Sequence, residues 1–287
     1  MKQIDFPSIY QSADELSLAS QGLFFRFLFC NLFFLVIAAA ISIANSSEIL
    51  CAVVQVIVLL FALGSSIYLY AVRPDRDWYS ARAIAESVKT LTWRYISKAE
   101  PFVINEAVDR ERFLLGLKQV VDQNKDIAKK LIGIQSMPQI TKEMSRLRDQ
   151  NISDRLGFYV EQRVVDQLNW YTKKADDNNR LASKYFWLLI GVNVLAIVFA
   201  IGKVLFLKVS YWPTDLFIAM AAGVLGWIQA KRYTENSASY ALAAHEISLI
   251  KEQSVSVKTA QELSLYVGDA ENAFSREHTQ WVARKDY

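Results

Sequence analysis

The chain has few of the residues on which metal sites, disulfide frameworks and many catalytic centres depend. Its 287 residues include two cysteines and two histidines. Cys30 and Cys51 lie inside long apolar runs, where a thiol is most often a small packing residue. His245 and His278 are about 33 positions apart, without cysteines or paired carboxylates at ligand spacing. We therefore expect no disulfide and no metal site.

Several other patterns are missing. There is no glycine-rich loop that could hold a phosphate, and no nucleophile elbow. The net charge of +3 comes from interspersed acids and bases rather than from a basic stripe. No segment alternates convincingly with a period of two, so strands are not expected. We predict a protein that is not an enzyme, has no catalytic residues, needs no cofactor and does not bind nucleic acid directly.

The chain has four long apolar runs instead, at 23–44, 49–72, 185–202 and 213–230. A helix of roughly 20 residues crosses a hydrocarbon core about 30 Å thick. The first two runs are joined only by "NSSE", and the last two by "KVLFLKVSYWPTD", whose Tyr211 and Trp212 suit the headgroup boundary. The sequence predicts an all-α integral membrane protein with four transmembrane helices in two hairpins, plus long cytosolic helices.

Basic residues beside the runs indicate the orientation, because lysine and arginine near short loops stay in the cytoplasm. They follow the second run, precede the third and follow the fourth, which predicts that both termini and the central segment lie in the cytoplasm. A cleaved signal peptide ending near Ala44 is the alternative. The acidic residues Asp5, Asp14 and Glu15 and the second span that follows at once argue against cleavage.

The polar segments favour helices nearly throughout. "RDWYSARAIAESVKTLTWRYISKAE" predicts a helix that stops or kinks at Pro101, followed by an amphipathic helix over about 105–130 and a second break near Pro138. From about 141 an unbroken helix is expected to enter the third span. The fourth span is expected to run on through "KRYTENSASYALAAHEISLIKEQ", and a last helix to cover about 257–284.

The second half of the chain repeats the first. "LASQGLFFRFLFCNLFF" can be aligned with "LASKYFWLLIGVNVLAI", which pairs Asn31 with Asn193, and the next matching segments pair Glu86 with Glu246. "LNWYTKKAD" and "TQWVARKDY" then end the two copies, which we place at 1–150 and 151–287. Trp170 lies about 14 residues, or roughly 20 Å of helix, before the third span. The repeated tryptophans therefore suggest packing joints rather than membrane anchors.

These same segments carry a family resemblance. "DRLGFYVEQRVVDQLNWYTKKADDNNRLASK", "SYALAAHEISLIKEQ" and "AENAFSREHTQWVARK" resemble the SLATT family of two-transmembrane effectors, and "RDWYSARAIAESVKTLTWRYISKAEPF" resembles another branch of it. The resemblance implies a membrane-perforating effector, located in the bacterial inner membrane, that kills or arrests an infected cell. It also implies a cytosolic sensor protein or a nucleotide-signal system encoded nearby, and no catalytic residues.

Two sets of candidate functional residues follow. Polar side chains within a span either line a water path or bond between helices, and both roles remain open for these. The intramembrane candidates are Asn31, Gln55, Ser65, Ser66 and Asn193. The candidates for a cytosolic interface are Trp78, Glu86, Trp93, Trp170, Glu246 and Trp281.

The leading hypothesis is an oligomeric pore gated by a partner or ligand, because two hairpins enclose too little space for a water path on their own. The alternative is a non-conducting membrane scaffold that localises a soluble partner through its helices. A transporter is disfavoured, since no ionisable group lies mid-span. Glycines at Gly64 and in "GVLG" at 223–226 are expected to permit close approach of spans, although their spacing is not that of GxxxG.

Overall fold

The computed structural model describes residues 4–43, 49–131, 138–209 and 211–283, with the backbone alone over 276–283. It is 87% helical, and the described residues contain no strand, which confirms the all-α prediction. The α-helices are α1 Ser8–Ile43, α2 Ile49–Val72, α3 Pro74–Ser97, α4 Glu106–Gln123, α5 Lys125–Ala128, α6 Lys142–Arg148, α7 Ile152–Tyr159, α8 Asp166–Leu205, α9 Thr214–Lys231, α10 Tyr233–Gln253 and α11 Ala260–Ala283. A π-helical turn, Val160–Val165, joins α7 to α8, and a 3₁₀ turn, Ser254–Ser256, follows α10.

Two helix breaks that the apolar pattern did not predict lie at asparagines, and a side-chain cap explains the second. The expected helix over 105–130 is wrong in part, since α4 ends at Gln123 and a separate short α5 follows Asn124. The unbroken helix from about 141 is also wrong. Asn151 accepts a hydrogen bond from the amide of Asp154 at 2.9 Å and so starts a new helix, α7. The break expected near Pro138 falls partly on 132–137, outside the described residues.

Two arginines interrupt the helices that leave the hairpins. Arg73 after α2 and Arg232 after α9 each have φ of 51°, a left-handed conformation that non-glycine residues adopt at a cost of about 1 kcal/mol or more. The prediction that the fourth span runs on unbroken is therefore wrong, because the helix is interrupted at Arg232. By contrast, helix is continuous over Ser8–Ile43 and over Ile152–Leu205.

The chain forms two compact units, and both halves of the sequence contribute to each. The membrane unit comprises Gly22–Pro74 and Lys174–Ser239. The head unit comprises Met1–Gln21, Asp75–Lys173 and Tyr240–Tyr287. Three helical segments, Ser8–Ile43, Ile49–Ser97 and Ile152–Leu205, are long and apolar enough to cross a membrane.

The exposed surface of those segments matches a lipid environment. The most apolar 18 residues of each are only 6%, 11% and 6% buried, so most of their apolar side chains lie on the outside. Such a surface is stable in a bilayer rather than in water. The prediction of an integral membrane protein is confirmed. The fourth span, in α9, stays a prediction.

The head unit has a conventional buried core. Helix α3 contributes Ala81, Ile84, Ala85 and Val88 at helical spacing, all with no exposed surface. Residues of α4, α6, α7 and α11 complete the core: Phe113, Leu117, Met144, Leu147, Tyr159, Leu263, Val267, Ala270 and Phe274. This core fixes the position of the charged groups described next.

Candidate functional site

The first hairpin is closed by an amide from α1. The Nδ2 group of Asn31 donates to the carbonyl of Ala62 at 2.8 Å and lies 2.7 Å from the Ser66 hydroxyl oxygen. Ser66 in turn donates to the same carbonyl at 3.2 Å. Because lipid offers no competing hydrogen bonds, these contacts hold α1 against α2.

Gln55 and Ser65 occupy other positions in this hairpin. Gln55 donates to the Ala38 carbonyl at 3.2 Å, a second link between α2 and α1. Ser65 is buried and donates to Phe61 in its own helix at 2.9 Å. The structure thus joins Asn31 to Ser66 and places Gln55 and Ser65 apart from them. Whether any of these residues also lines a water path stays a prediction.

The second hairpin uses its matching amide differently. Asn193 is exposed on α8, and its Nδ2 group donates to the Leu189 carbonyl of the same helix at 2.8 Å. Aromatic contacts hold α8 near α9 instead, with the Phe199 and Phe217 rings stacked at 5.1 Å. The sequence pairing of Asn31 with Asn193 therefore does not extend to their contacts.

The two hairpins pack against each other within the membrane unit. A methyl group built at Gly226 would lie 3.6 Å from Leu32, and one at Gly223 would lie 3.7 Å from Val36, so α9 approaches α1 along its glycines. Trp227 adds edge contacts to Phe25 and Phe29. Among the described residues, no atom outside the neighbouring backbone of its own helix lies within 4 Å of a methyl group built at Gly64. The glycines of "GVLG" accordingly lie on a helix-packing face.

A buried ion pair occupies the centre of the head unit. Arg163 Nε and Nη2 each lie 2.9 Å from a carboxylate oxygen of Glu271, and both side chains are almost completely buried. Tyr159 donates to Glu271 at 3.0 Å and Thr90 donates to it at 2.8 Å. Burial disfavours the charged form of Arg163, but the Glu271 carboxylate outweighs it and raises the pKa of Arg163.

The π-helical turn contains this arginine. One extra residue per turn changes which side chains face the core, and such turns are frequent at functional positions. The Arg163 guanidinium also lies 4.5 Å from the Phe274 ring centre. Burial, followed by the charge of Glu271, raises the pKa of Tyr159 well above its ordinary value. At neutral pH the Arg163 side chain is therefore charged and the Tyr159 hydroxyl keeps its proton.

A second buried pair lies elsewhere in the head unit. Arg148 contacts Asp109 at 2.5 Å and also donates to the backbone carbonyls of Tyr95 and Phe102. Arg148 lines a cavity of about 500 Å³, together with Lys98 and Arg155. Burial and the neighbouring arginines lower the pKa of Lys98, while exposed acidic residues line the same cavity. The opposing charges leave no clear ligand preference.

Two of the six predicted interface residues are buried inside the head unit. Trp93 is buried against Phe158 and Tyr159, so it joins sequence from the two halves. Glu86 is buried and ion-paired with Arg82 at 2.7 Å and Lys89 at 3.2 Å. Neither side chain is available on the outer surface of the head unit.

The other predicted interface residues are more accessible. Trp78 stacks on Tyr79 at 4.6 Å, and Trp170 contacts Tyr171 and Tyr240 while 38% of its surface remains exposed. Glu246 is half-buried in α10. Trp281 lies in α11, with its side chain outside the described residues.

Sequence reasoning did not find the Arg163–Glu271 pair. A signal was available, because Glu271 lies between Val267 and Phe274 on the apolar face of α11. A lone charge in an apolar stripe indicates a buried partner of opposite sign. The identity of that partner depends on tertiary packing, which no local pattern contains.

Comparison with known families agrees with this architecture. The family model of SMODS and SLOG-associating 2TM effector domain 3 matches residues 7–156, and that of domain 1 matches residues 159–281. The chain therefore belongs to the SLATT family of two-transmembrane effector domains and contains two copies in tandem. No curated protein and no solved structure matches it.

Proposed function

We propose that this chain is the membrane effector of a bacterial anti-phage system of the abortive-infection type. In this proposal it forms or gates an oligomeric pore that permeabilises the inner membrane when a cytosolic sensor is triggered. The observation that carries the proposal is the tandem pair of effector domains, whose four hairpin helices form one membrane unit. The largely exposed apolar surface of that unit supports insertion in a bilayer.

The helix Ile152–Leu205 supports a coupling role. It carries Arg163 in its π-helical turn and Asn193 in its apolar run, on one continuous helix. A change in the Arg163–Glu271 network would therefore displace the same helix that forms the third span. Two discrete arrangements of packed helices are the usual basis of such a switch.

The test is ion flux across vesicles that contain the purified chain. We expect dye release or membrane depolarisation when the sensor and its trigger are added, and little release without them. Vesicles with Glu271→Gln should have an altered threshold, because this substitution weakens the ion pair while keeping the side-chain volume. Absence of flux under triggering conditions would overturn the proposal.

A non-conducting scaffold is the second candidate, and one observation favours it. Asn31, Gln55 and Ser66 are already bonded between α1 and α2, so they need no water path to be satisfied. In a scaffold, Asn31→Leu and Asn193→Leu would leave toxicity intact. Trp170→Ala or Trp281→Ala would instead abolish capture of a soluble partner. The opposite pattern would favour the pore.

A further inference from the structure

We propose that the exposed face of α8 centred on Asn193 is the contact through which copies of this chain associate in the membrane. Asn193 lies midway along the run 185–202, and its side chain is exposed. One of its N–H groups bonds to Leu189. Its second N–H and its carbonyl oxygen have no hydrogen-bond partner among the described residues.

An amide that faces lipid is energetically unfavourable, whereas the apolar side chains around Asn193 are stable there. The exposure of Asn193 therefore requires an explanation. The first hairpin shows what the same residue type does when a neighbour is present. There, Asn31 bonds across to the carbonyl of Ala62 and the hydroxyl of Ser66. Asn193 is exposed and has no bond to another helix among the described residues, so a second copy of the chain can supply the matching neighbour.

The residues around Asn193 form a regular seam. They follow one another at intervals of four, three, four, three and four positions, the spacing that keeps one side of a helix against a partner helix in a left-handed supercoil. All are exposed, and Asn193 is the polar member: Phe186, Ile190, Asn193, Ile197, Ala200 and Val204. A single asparagine in such a seam fixes the register of the helices.

A second copy of this chain fits the seam better than a different helix. A carboxamide both donates and accepts, so the Asn193 side chains of two copies can satisfy each other reciprocally. On α2, Val56, Leu60 and Leu63 are exposed and apolar, Gln55 is bonded to Ala38, and Ser66 is bonded within the first hairpin. A reciprocal pair of Asn193 amides needs no other polar partner, so we place the contact at α8 against α8.

This inference deepens the proposed pore and rests on its oligomeric form. It names the helix that faces the shared axis of the assembly and the residue that sets its register. A pore built this way would have a ring of Asn193 amides about halfway through its apolar length. A dimer would have a single reciprocal amide pair at the same level.

Disulfide cross-linking in native membranes tests the face directly. Cys30 and Cys51 are first replaced by alanine, and Ile197→Cys, which leaves Asn193 in place, is compared with Leu195→Cys. Leu195 is also exposed but lies two positions away, on nearly the opposite side of the helix. We expect a covalent dimer from Ile197→Cys and much less from Leu195→Cys. Equal yields, or none from Ile197→Cys, would overturn the proposal.

Association in vesicles gives a second readout. Energy transfer between labelled copies should show that Asn193→Leu weakens association about fivefold or more, the effect of losing roughly one interhelical hydrogen bond. Leu195→Ala, at an exposed position outside the seam, is the control and should leave association near the unmodified value. Unchanged association for Asn193→Leu would contradict the contact.

The outcomes separate this inference from the function it rests on. If Ile197→Cys fails to cross-link while triggered vesicles still leak, the face is wrong and the pore stands. If it cross-links efficiently and no leak occurs under any trigger, the association face stands and the pore is wrong.

Discussion

The first hairpin and the second hairpin hold their helices together with different chemistry. Asn31 and Gln55 give the first hairpin two hydrogen-bonded links between α1 and α2. The second hairpin has stacked rings at Phe199 and Phe217, and its asparagine is satisfied only within its own helix. Aligned residues in a tandem repeat therefore keep their positions without keeping their contacts.

In the head unit the two copies share a type of contact, because each copy contains a buried ion pair. Arg148–Asp109 lies within the first matched domain and Arg163–Glu271 within the second. The two pairs differ in their surroundings. Glu271 is held by side chains from both copies, including Thr90, whereas Arg148 is held partly by backbone carbonyls. These differences can be tested by single substitutions.

The largest effect is expected at Glu271. Glu271→Ala leaves Arg163 buried without a counter-charge, which should cost about 3–5 kcal/mol of stability. Thermal unfolding of the detergent-solubilised chain measures the loss. The double variant Arg163→Met with Glu271→Leu should recover much of it, because an apolar pair removes the stranded charge. If Glu271→Ala unfolds at the same temperature as the unmodified chain, the buried pair is contradicted.

A smaller loss is expected for the pair of the first copy. Asp109→Ala should cost about 2–3 kcal/mol, because Arg148 keeps its bonds to the carbonyls of Tyr95 and Phe102. The same melting assay ranks the two variants. If Asp109→Ala is the more damaging substitution, the backbone carbonyls contribute less than the structure indicates.

The matching asparagines should give opposite results in the isolated chain. Asn31→Leu removes the link to Ala62 and Ser66 and should destabilise the first hairpin by about 1–2 kcal/mol. Asn193→Leu removes only a bond within one helix and should be near neutral in dilute detergent. Protease sensitivity of the two hairpins measures both. Equal losses would remove the distinction between the hairpins.

Substitution of glycine by alanine should be more disruptive at Gly202 in the second hairpin than at Gly64 in the first. A methyl group at Gly202 would lie 2.4 Å from the Trp212 ring, so Gly202→Ala must displace that ring at a cost of about 1 kcal/mol. Gly64→Ala meets no described atom within 4 Å outside the neighbouring backbone of its own helix and serves as the control. A shift in tryptophan fluorescence on Gly202→Ala alone would support this packing, and no shift would contradict it.

The smallest effect at neutral pH concerns tyrosine ionisation in the head unit. Burial raises the pKa of Tyr10 in the first copy and of Tyr266 in the second to about 12. An unfolded tyrosine ionises near pH 10, so their protonated forms stabilise the fold below about pH 10. That contribution should be lost as the pH rises from about 10 through 12. Phenolate absorbance during an alkaline titration should show late-ionising tyrosines; uniform ionisation near pH 10 would contradict their burial.

The sequence was most informative where composition alone decides structure. The run 49–72 coincides with α2, and the run 213–230 lies within one residue of α9, because a lipid-exposed helix must be apolar along its length. The resemblance to the SLATT family and its tandem arrangement are confirmed. These features depend on residue type rather than on the identity of a distant neighbour.

Other features could not be read from the sequence for definite physical reasons. Nothing local requires Arg232 to adopt a left-handed conformation, since arginine is an ordinary helix former. The π-helical turn at Val160–Val165 and the pairing of Arg163 with Glu271 depend on residues 108 positions apart. The role of Asn193 was undecided for the same reason, because its exposure is a property of the folded membrane unit.

Each hairpin has one helix that continues beyond its apolar run and one that is interrupted by a left-handed arginine. Helix α1 and the segment Ile152–Leu205 have no such interruption, whereas the helices after α2 and α9 restart at Arg73 and Arg232. A change in the backbone angles of that one arginine redirects the helix that follows it, whereas an uninterrupted helix offers no such position.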